Sequence, residues 1–297
     1  MAEALIKPLV SLLMTAYNRE KYIGEAIESV LASAFQDWEL IIVDDCSTDN
    51  TVGIAKEFVL KDKRIFVYTN TQNLGDYPNR NKAASYATGE YLKYLDADDT
   101  IYKYTLSYMT EAMKCFPEAG MGISVNLIDG DKPYPSLSLP ADTIRGQYSG
   151  KGILGCGPSA SVIKKNVFES LGGFSGEQFV GDHEFWLKLG ALYPVVKLQP
   201  SLIWWRRHPE QQIEQEKKNI TVQNIRYQNS LKGLEELKHF FNPQEFIEAR
   251  KNMARMYART IIRDGIYNKD LKIPYKLWKM SGMSFLQLLS GLKIKRK

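Results

Sequence analysis

The stretch Tyr91-Leu-Lys-Tyr-Leu-Asp-Ala-Asp-Asp99 decides how this chain is read. Four of its first five residues are apolar or aromatic, the pattern of a strand buried on both faces of a sheet. The strand then delivers Asp96, Asp98 and Asp99 within four residues. Carboxylates that close repel, so the segment predicts raised carboxyl pKa values or a bound cation. Hard carboxylate oxygens suit Mg²⁺ or Mn²⁺. These ions commonly take one or two protein carboxylates when substrate phosphates complete the shell. An isolated Asp-x-Asp is more often a loop that caps the next helix. Its position at a strand end favours the metal.

Upstream, Leu9–Thr15, Trp38–Val43 and Arg64–Tyr68 read as three more strands. Glu20–Ser33, Thr48–Leu60 and Tyr77–Thr88 read as helices, the last with Gly89 as its stop. Strand–helix alternation at this spacing predicts βαβ units and a mostly parallel central sheet flanked by helices. Ligands of such sheets bind beyond the carboxyl ends of the strands. Ala16-Tyr17-Asn18, Asp44-Asp45 and Asp96–Asp99 are therefore expected on one rim. A carboxylate placed like Asp45 accepts from a base or ribose hydroxyl, with Ser47–Asp49 capping the helix that follows.

Downstream, Gly120–Gly157 is poorly periodic and predicts loops and short strands, an acceptor-facing surface. Asn219–Asp264 is helical in pattern, with a break at Pro243, and those helices are wide enough in apolar pattern to bury a homodimer interface. The expected organisation is an α/β domain over 1–215 and a helical C-terminal extension over 216–297.

The chain has 297 residues, 44% hydrophobic and 25% charged, enough to bury a sizeable core without staples. Three scattered cysteines and no C-x-x-C pair fit a reducing compartment. The apolar run near the N-terminus lacks the basic n-region of a signal peptide, and no stretch reaches the ~18 apolar residues that span a bilayer. A cytoplasmic location is expected. The net charge of +5 is concentrated at one end. Lys269–Lys297 holds eight Lys/Arg and one Asp, which leaves 31 basic and 33 acidic residues before it. A basic nucleic-acid groove on the body is therefore not indicated. The tail mixes those cations with Tyr275, Trp278, Phe285 and several leucines, a composition suited to the inner face of an anionic membrane.

Several segments together, in order, resemble the family 2 glycosyltransferases of the GT-A fold. They are V-S-L-L-M-T-A-Y-N (Val10–Asn18), W-E-L-I-I-V-D-D-C-S-T-D (Trp38–Asp49), N-L-G (Asn73–Gly75), R-N-K-A-A (Arg80–Ala84) and A-T-G-E-Y-L-K-Y-L-D-A-D-D (Ala87–Asp99). L-G-G-F (Leu171–Phe174), G-D-H-E-F-W-L-K-L (Gly181–Leu189) and W-W-R-R-H (Trp204–His208) complete the series. The resemblance implies that Thr15, Tyr17, Asp45 and Arg80 bind the nucleotide. It implies that Asp98 contacts ribose or metal, and that Asp98 or Asp99 holds the divalent ion. Asp182 falls where the family places its catalytic base, and His208 where some members touch metal or diphosphate. Many members have Glu-Asp where this chain has Gly181-Asp182; the Asp is kept, so the base survives, and the missing Glu leaves acceptor recognition open.

The expected reaction is an inverting transfer from a nucleotide-diphospho-sugar, with UDP favoured by the resemblance, to a hydroxyl of a glycan or lipid-linked acceptor. The base takes the proton of the attacking hydroxyl. Arg206 and Arg207 are cationic enough to close over a diphosphate. Asp96 and Glu184 are further candidates on the diphosphate or acceptor side. Glu184 stands two residues from Asp182, and residues two apart on a helix point to different sides. His183 and His239 read as ordinary polar residues. G-C-G-P-S-A (Gly155–Ala160) does not follow the first strand and is no dinucleotide fingerprint; no P-loop occurs. The alternatives are a metal-dependent sugar nucleotidyltransferase, which the lack of an early Gly-rich basic loop disfavours, and a non-catalytic nucleotide-sugar binding module.

Overall fold

The apolar run Val10–Ala16 (β1) is an interior strand, third in an eight-stranded sheet of order β3-β2-β1-β4-β8-β6-β9-β7. A computed structural model describes residues 7–124, 132–209, 211, 220–268 and 272–292. β2 (Trp38–Asp44), β3 (Ile65–Thr69) and β4 (Tyr91–Asp96) lie parallel to β1 or to its neighbour. β1 and β2 are flanked on both edges and covered on both faces, which is why they read as continuous apolar runs. Leu12, Met14, Leu40 and Ile42 are wholly buried, each worth roughly 1.5–3 kcal/mol.

The other half of the sheet is mixed. β6 (Met121–Ser124) and β9 (Val195–Leu198) pair in parallel, while β8 (Ser161–Lys164) and β7 (Ser136–Ser138) pair antiparallel with their neighbours. A small second sheet joins β5 (Thr100–Ile101) to β10 (Ile203–Trp204).

The helices of the first half are α1 (Ile23–Leu31), α2 (Thr51–Val59), α3 (Asp76–Tyr86) and α4 (Thr105–Cys115). α1 buries Ile23, Ala26, Ile27 and Val30, the i, i+3, i+4, i+7 stripe of a helix lying on a sheet. α2 starts at Thr51, later than expected. Ser47–Asp49 form the turn before it, with Asp49 Oδ1 accepting from the Thr51 N–H at 3.0 Å. α3 ends at Tyr86, three residues before Gly89. Gly89 is there for space: a Cβ would lie 2.7 Å from the Ser11 amide nitrogen.

The Gly120–Gly157 stretch also holds a helix that the sequence did not suggest, α5 (Pro140–Ser149). Its buried residues, Thr143, Ile144 and Tyr148, are too few to make a visible stripe, and Gly146 interrupts it. Residues 125–131 of that stretch lie outside the described residues. α6 (Lys165–Ser170) and α7 (Gly181–Leu192) complete the α/β part.

By contact the chain divides into one unit of residues 1–140 and 153–206 and another of 141–152 and 207–297. The second unit contains helices Ile220–Glu236, Pro243–Asn268, Lys272–Ser281 and Phe285–Ser290. Within it Tyr227 stacks on Tyr257 at 4.3 Å between ring centroids. The Arg145 Nε donates to the Phe240 carbonyl at 2.7 Å. No helix among the described residues is long and apolar enough to cross a membrane.

Candidate active site

The parallel register sets the rim. Ala16 pairs with Asp44 and Thr15 with Asp96, so β1, β2 and β4 end level. Tyr17, Asp45 and the Asp98-Asp99 pair therefore leave the sheet side by side, as the sequence predicts. Asn18 and Cys46 follow with left-handed backbone, φ 52° and 67°. Asn tolerates that region; Cys46 stores roughly 1 kcal/mol of strain there. The two turns are stitched together. The Asn18 N–H donates to Ser47 Oγ at 2.8 Å, and the Thr48 N–H donates back to Asn18 Oδ1 at 2.9 Å.

Asp45 is buried and holds the turn before α3. Its Oδ1 accepts from Asn70 Nδ2 and from the Leu74 N–H, both at 2.8 Å, and its Oδ2 from the Gly75 N–H at 2.9 Å. Gly75 has φ 86°, the left-handed conformation that glycine allows. Thr15 lies half-buried at the end of β1, and Tyr17 beside it leaves its ring exposed.

Arg80 on α3 is buried between two carboxylates. Its Nε donates to Asp76 Oδ1 and its Nη2 to Asp96 Oδ1, each at 2.7 Å. Burial works against its charge, but Asp76 and Asp96 outweigh it and hold the guanidinium firmly protonated. Its Nη1 is buried without a hydrogen-bond partner among the described residues. Asp96 also accepts from Ser159 Oγ at 2.7 Å. Burial opposes its ionisation, yet Arg80 and Ser159 bring its carboxyl below the ordinary value.

Asp98 Oδ2 accepts from Arg19 Nε at 3.0 Å. Asp99 is 1% exposed, and its Oδ1 accepts from the Arg206 N–H at 3.0 Å. Burial first, then the charges of Asp96 and Asp98, push the Asp99 carboxyl up to about 8. Lys93 lies beneath, wholly buried, its Nζ donating to the carbonyls of Tyr94 and Ser159. Burial brings its ammonium down to about 7, against the pull of Asp96, Asp99 and Cys156. A buried carboxyl held up by its neighbours is the state a divalent cation relieves, so Asp98 and Asp99 fit a Mg²⁺ or Mn²⁺ ion. Among the described residues no group of three or more His, Cys, Asp or Glu is arranged to hold an ion. Two carboxylates completed by phosphate oxygens is the arrangement that fits.

The β5–β10 pair lays Trp204 opposite Thr100 and so carries Arg206 onto the acidic turn. The Arg206 Nε donates to the Asp98 carbonyl at 2.9 Å, its Nη2 pairs with Glu25, and its guanidinium lies 4.6 Å from the Trp204 ring. Its side chain braces the turn. Arg207 and His208 belong to the second unit, where His208 is buried and its N–H donates to Gln211 Oε1 at 3.3 Å.

Asp182 stands in the first turn of α7. Its Oδ1 accepts from Tyr77 Oη at 2.9 Å and from the His183 N–H at 2.7 Å. Burial raises its carboxyl above the ordinary value, although both hydrogen bonds act against that. Glu184 turns the other way and accepts from Ser175 Oγ. Tyr77 and Arg80 are three apart on α3 and share a face. One turn of α3 thus reaches Asp182 with a phenol and Asp96 with a guanidinium.

Tyr77, Arg19, Ser159 and Lys93 went unnoticed in the sequence. Only Lys93 carried a signal, a cation in the middle of a strand buried on both faces.

A mostly parallel sheet ending in this acidic turn, with helices on its faces, is the GT-A fold. The model of Glycosyl transferase family 2 matches residues 11–172, more than half of the chain, and the chain belongs to that family. It is 43% identical over 107 residues to TuaG of Bacillus subtilis, a glycosyltransferase assigned to teichuronic acid biosynthesis, covering 36% of this chain and 42% of TuaG. It is 43% identical over 91 residues to WfgD of Escherichia coli, a UDP-Glc:alpha-D-GlcNAc-diphosphoundecaprenol beta-1,3-glucosyltransferase, covering 31% of this chain and 35% of WfgD. The chain thus spans less than half the length of these two curated relatives. Among solved structures it superposes on the mannosyltransferase PcManGT of Pyrobaculum calidifontis, bound to GDP-Man and Mn²⁺, with TM-score 0.62 at 17% identity. That match covers 97% of this chain and 80% of PcManGT.

Proposed function

We propose that this protein is an inverting glycosyltransferase of cell-surface polysaccharide synthesis, moving a sugar from a UDP-sugar to a hydroxyl of a glycan or lipid-linked acceptor. One observation carries the reading. The nucleotide-side residues Asp45, Asp98 and Asp99 leave the ends of β2 and β4, which flank β1, and α3 links that rim to a half-buried carboxylate, Asp182. TuaG and WfgD support the biosynthetic setting, and WfgD supports the UDP carrier.

Asp182 acts as the base that takes the proton of the attacking hydroxyl. A single carboxylate base with attack opposite the leaving group inverts the anomeric carbon. Asp98 and Asp99 would hold a Mn²⁺ or Mg²⁺ ion, whose charge favours departure of the diphosphate. Thr15, Tyr17 and Asp45 line the nucleoside pocket, and Arg80 sets Asp96 at its edge. Family membership leaves the nucleotidyltransferase alternative without support; a binding module would be told apart by lack of turnover.

The second unit is the part that meets the membrane. Phe285, Leu286, Leu289 and Leu292 are exposed, and the helix Phe285–Ser290 buries none of its residues. Exposed Lys276 and Lys279 lie on the preceding helix. Apolar side chains among cations suit an anionic leaflet. Lys269 and Lys293–Lys297 of the basic tail lie outside the described residues.

Calorimetric titration of UDP, GDP and dTDP, each with and without Mn²⁺, tests the donor site. Tight binding of UDP that collapses without metal is expected. No binding of any of the three would mean that the acidic turn is structural.

A further inference from the structure

Gly181 precedes Asp182 on α7, and the structure shows what occupies the space beside it. A Cβ at residue 181 would lie 2.7 Å from Tyr77 Cδ2, 2.9 Å from Tyr77 Cγ and 2.7 Å from the Ser175 carbonyl oxygen. Such contacts are too close for any side chain. Gly181 does not have positive φ, so its lack of a side chain makes room. The occupant of that room is the Tyr77 ring.

The ring is fixed. Tyr77 is 6% exposed, with its centroid 5.6 Å from that of Phe174. Phe174 in turn packs on Tyr94, Phe168, Phe185 and Trp186. The phenol therefore reaches Asp182 from a rigid wall. Both donors on Asp182, Tyr77 Oη and the His183 N–H, meet the same oxygen, Oδ1. No hydrogen bond to Oδ2 is made among the described residues, which leaves that oxygen for an incoming hydroxyl.

We infer that Tyr77 is a positioning residue for Asp182: its hydroxyl fixes Oδ1 and so presents Oδ2 to the acceptor, and Gly181 makes room for its ring. This rests on the reading of Asp182 as the base. The phenol is a donor at every working pH, because burial and the nearby Asp182 and Asp76 hold its proton in place. The other charged or titratable groups that face Asp182 are His183 on its own helix, Arg80 on α3 and the buried thiol of Cys156.

The test needs no known acceptor. In protein labelled with ¹³C-aspartate, the Asp182 carboxyl resonance is the one that disappears in Asp182→Asn, and it is titrated from pH 4 to 9. A hydrogen bond to the ionised form lowers a carboxyl's pKa, so Tyr77→Phe is expected to move the midpoint up by about one unit. Phe keeps the ring, and UDP affinity serves as the check that the fold is intact. Gly181→Ala, which displaces the ring, is expected to move the midpoint in the same direction. A midpoint unchanged in Tyr77→Phe overturns the inference; one unchanged in Gly181→Ala overturns the part assigned to Gly181. Hydrolysis of a UDP-sugar that the wild-type protein turns over, at an equal rate in Asp182→Asn, would instead overturn the base, whatever the titration shows.

Discussion

Arg80 Nη2 donates to Asp96 Oδ1 at 2.7 Å, and this bond joins the first turn of α3 to the start of the acidic turn after β4. The guanidinium is buried, and a second carboxylate, Asp76, takes its Nε. Two anions share one cation, which keeps Asp96 ionised beside the more deeply buried Asp99.

Arg80→Met should therefore destabilise the fold by about 3 kcal/mol, since removing one member of a buried ion pair leaves uncompensated charge. Arg80→Lys should recover only part of this, because an ammonium cannot fork between Asp76 and Asp96. Urea denaturation of both variants measures the difference.

Asp99 gives a prediction whose sign depends on pH. Its folded carboxyl sits near 8, above its unfolded value, so folding favours the neutral form. Its contribution is fully present below about pH 4 and is lost as pH rises through 8. Without metal, Asp99→Asn should melt higher than wild type at pH 9 and alike at pH 4, while losing metal-dependent UDP binding. Thermal melts at the two pH values decide it; a variant that melts lower at pH 9 would contradict the assignment.

Asp182→Asn should abolish transfer and leave UDP affinity near wild type, as the reading of Asp182 as the base requires. Turnover with donor and acceptor, beside calorimetry with UDP, separates the two effects. Wild-type activity should rise with pH above the ordinary carboxylate range, because burial lifts the Asp182 carboxyl.

Glu39 is a control on the opposite end of the sheet. It accepts from Ser11 Oγ at 2.6 Å, the Thr88 N–H at 2.7 Å and Thr88 Oγ1 at 2.8 Å. Glu39→Ala orphans these donors and should cost roughly 2–3 kcal/mol with no change in UDP affinity. Chemical denaturation and calorimetry together test both halves.

Replacing Phe285, Leu286 and Leu289 by serine should abolish pelleting with vesicles of phosphatidylglycerol and phosphatidylcholine, and leave the melting temperature nearly unchanged. All three side chains are exposed, so the fold loses little. Wild-type protein that does not pellet, or a variant that pellets as well, would count against membrane contact.

The parallel half of the sheet was legible because β1, β2 and β4 are buried on both faces and write mostly apolar runs, interrupted by Ser11, Glu39 and Lys93. The acidic rim followed from them, since a parallel sheet puts successive strand ends together. The mixed half was not legible. β6, β8 and β9 have four residues each, too short for a period to show. Helix α5 hid behind Pro140 and Gly146. The Tyr77–Asp182 contact joins residues 105 apart, and neither residue type announces the other. The glycine at 181 was visible as a departure; the ring that fills its place was not.

That filled place bears on any attempt to re-engineer acceptor choice. Position 181 is an obvious target for a mutagenesis library, because it adjoins Asp182. Here it is sterically closed while Tyr77 remains. A larger residue at 181 therefore needs a smaller one at 77, and that exchange removes the phenol that holds Asp182 Oδ1. A library at 181 alone displaces the Tyr77 ring, so acceptor choice and the setting of the Asp182 carboxylate change together.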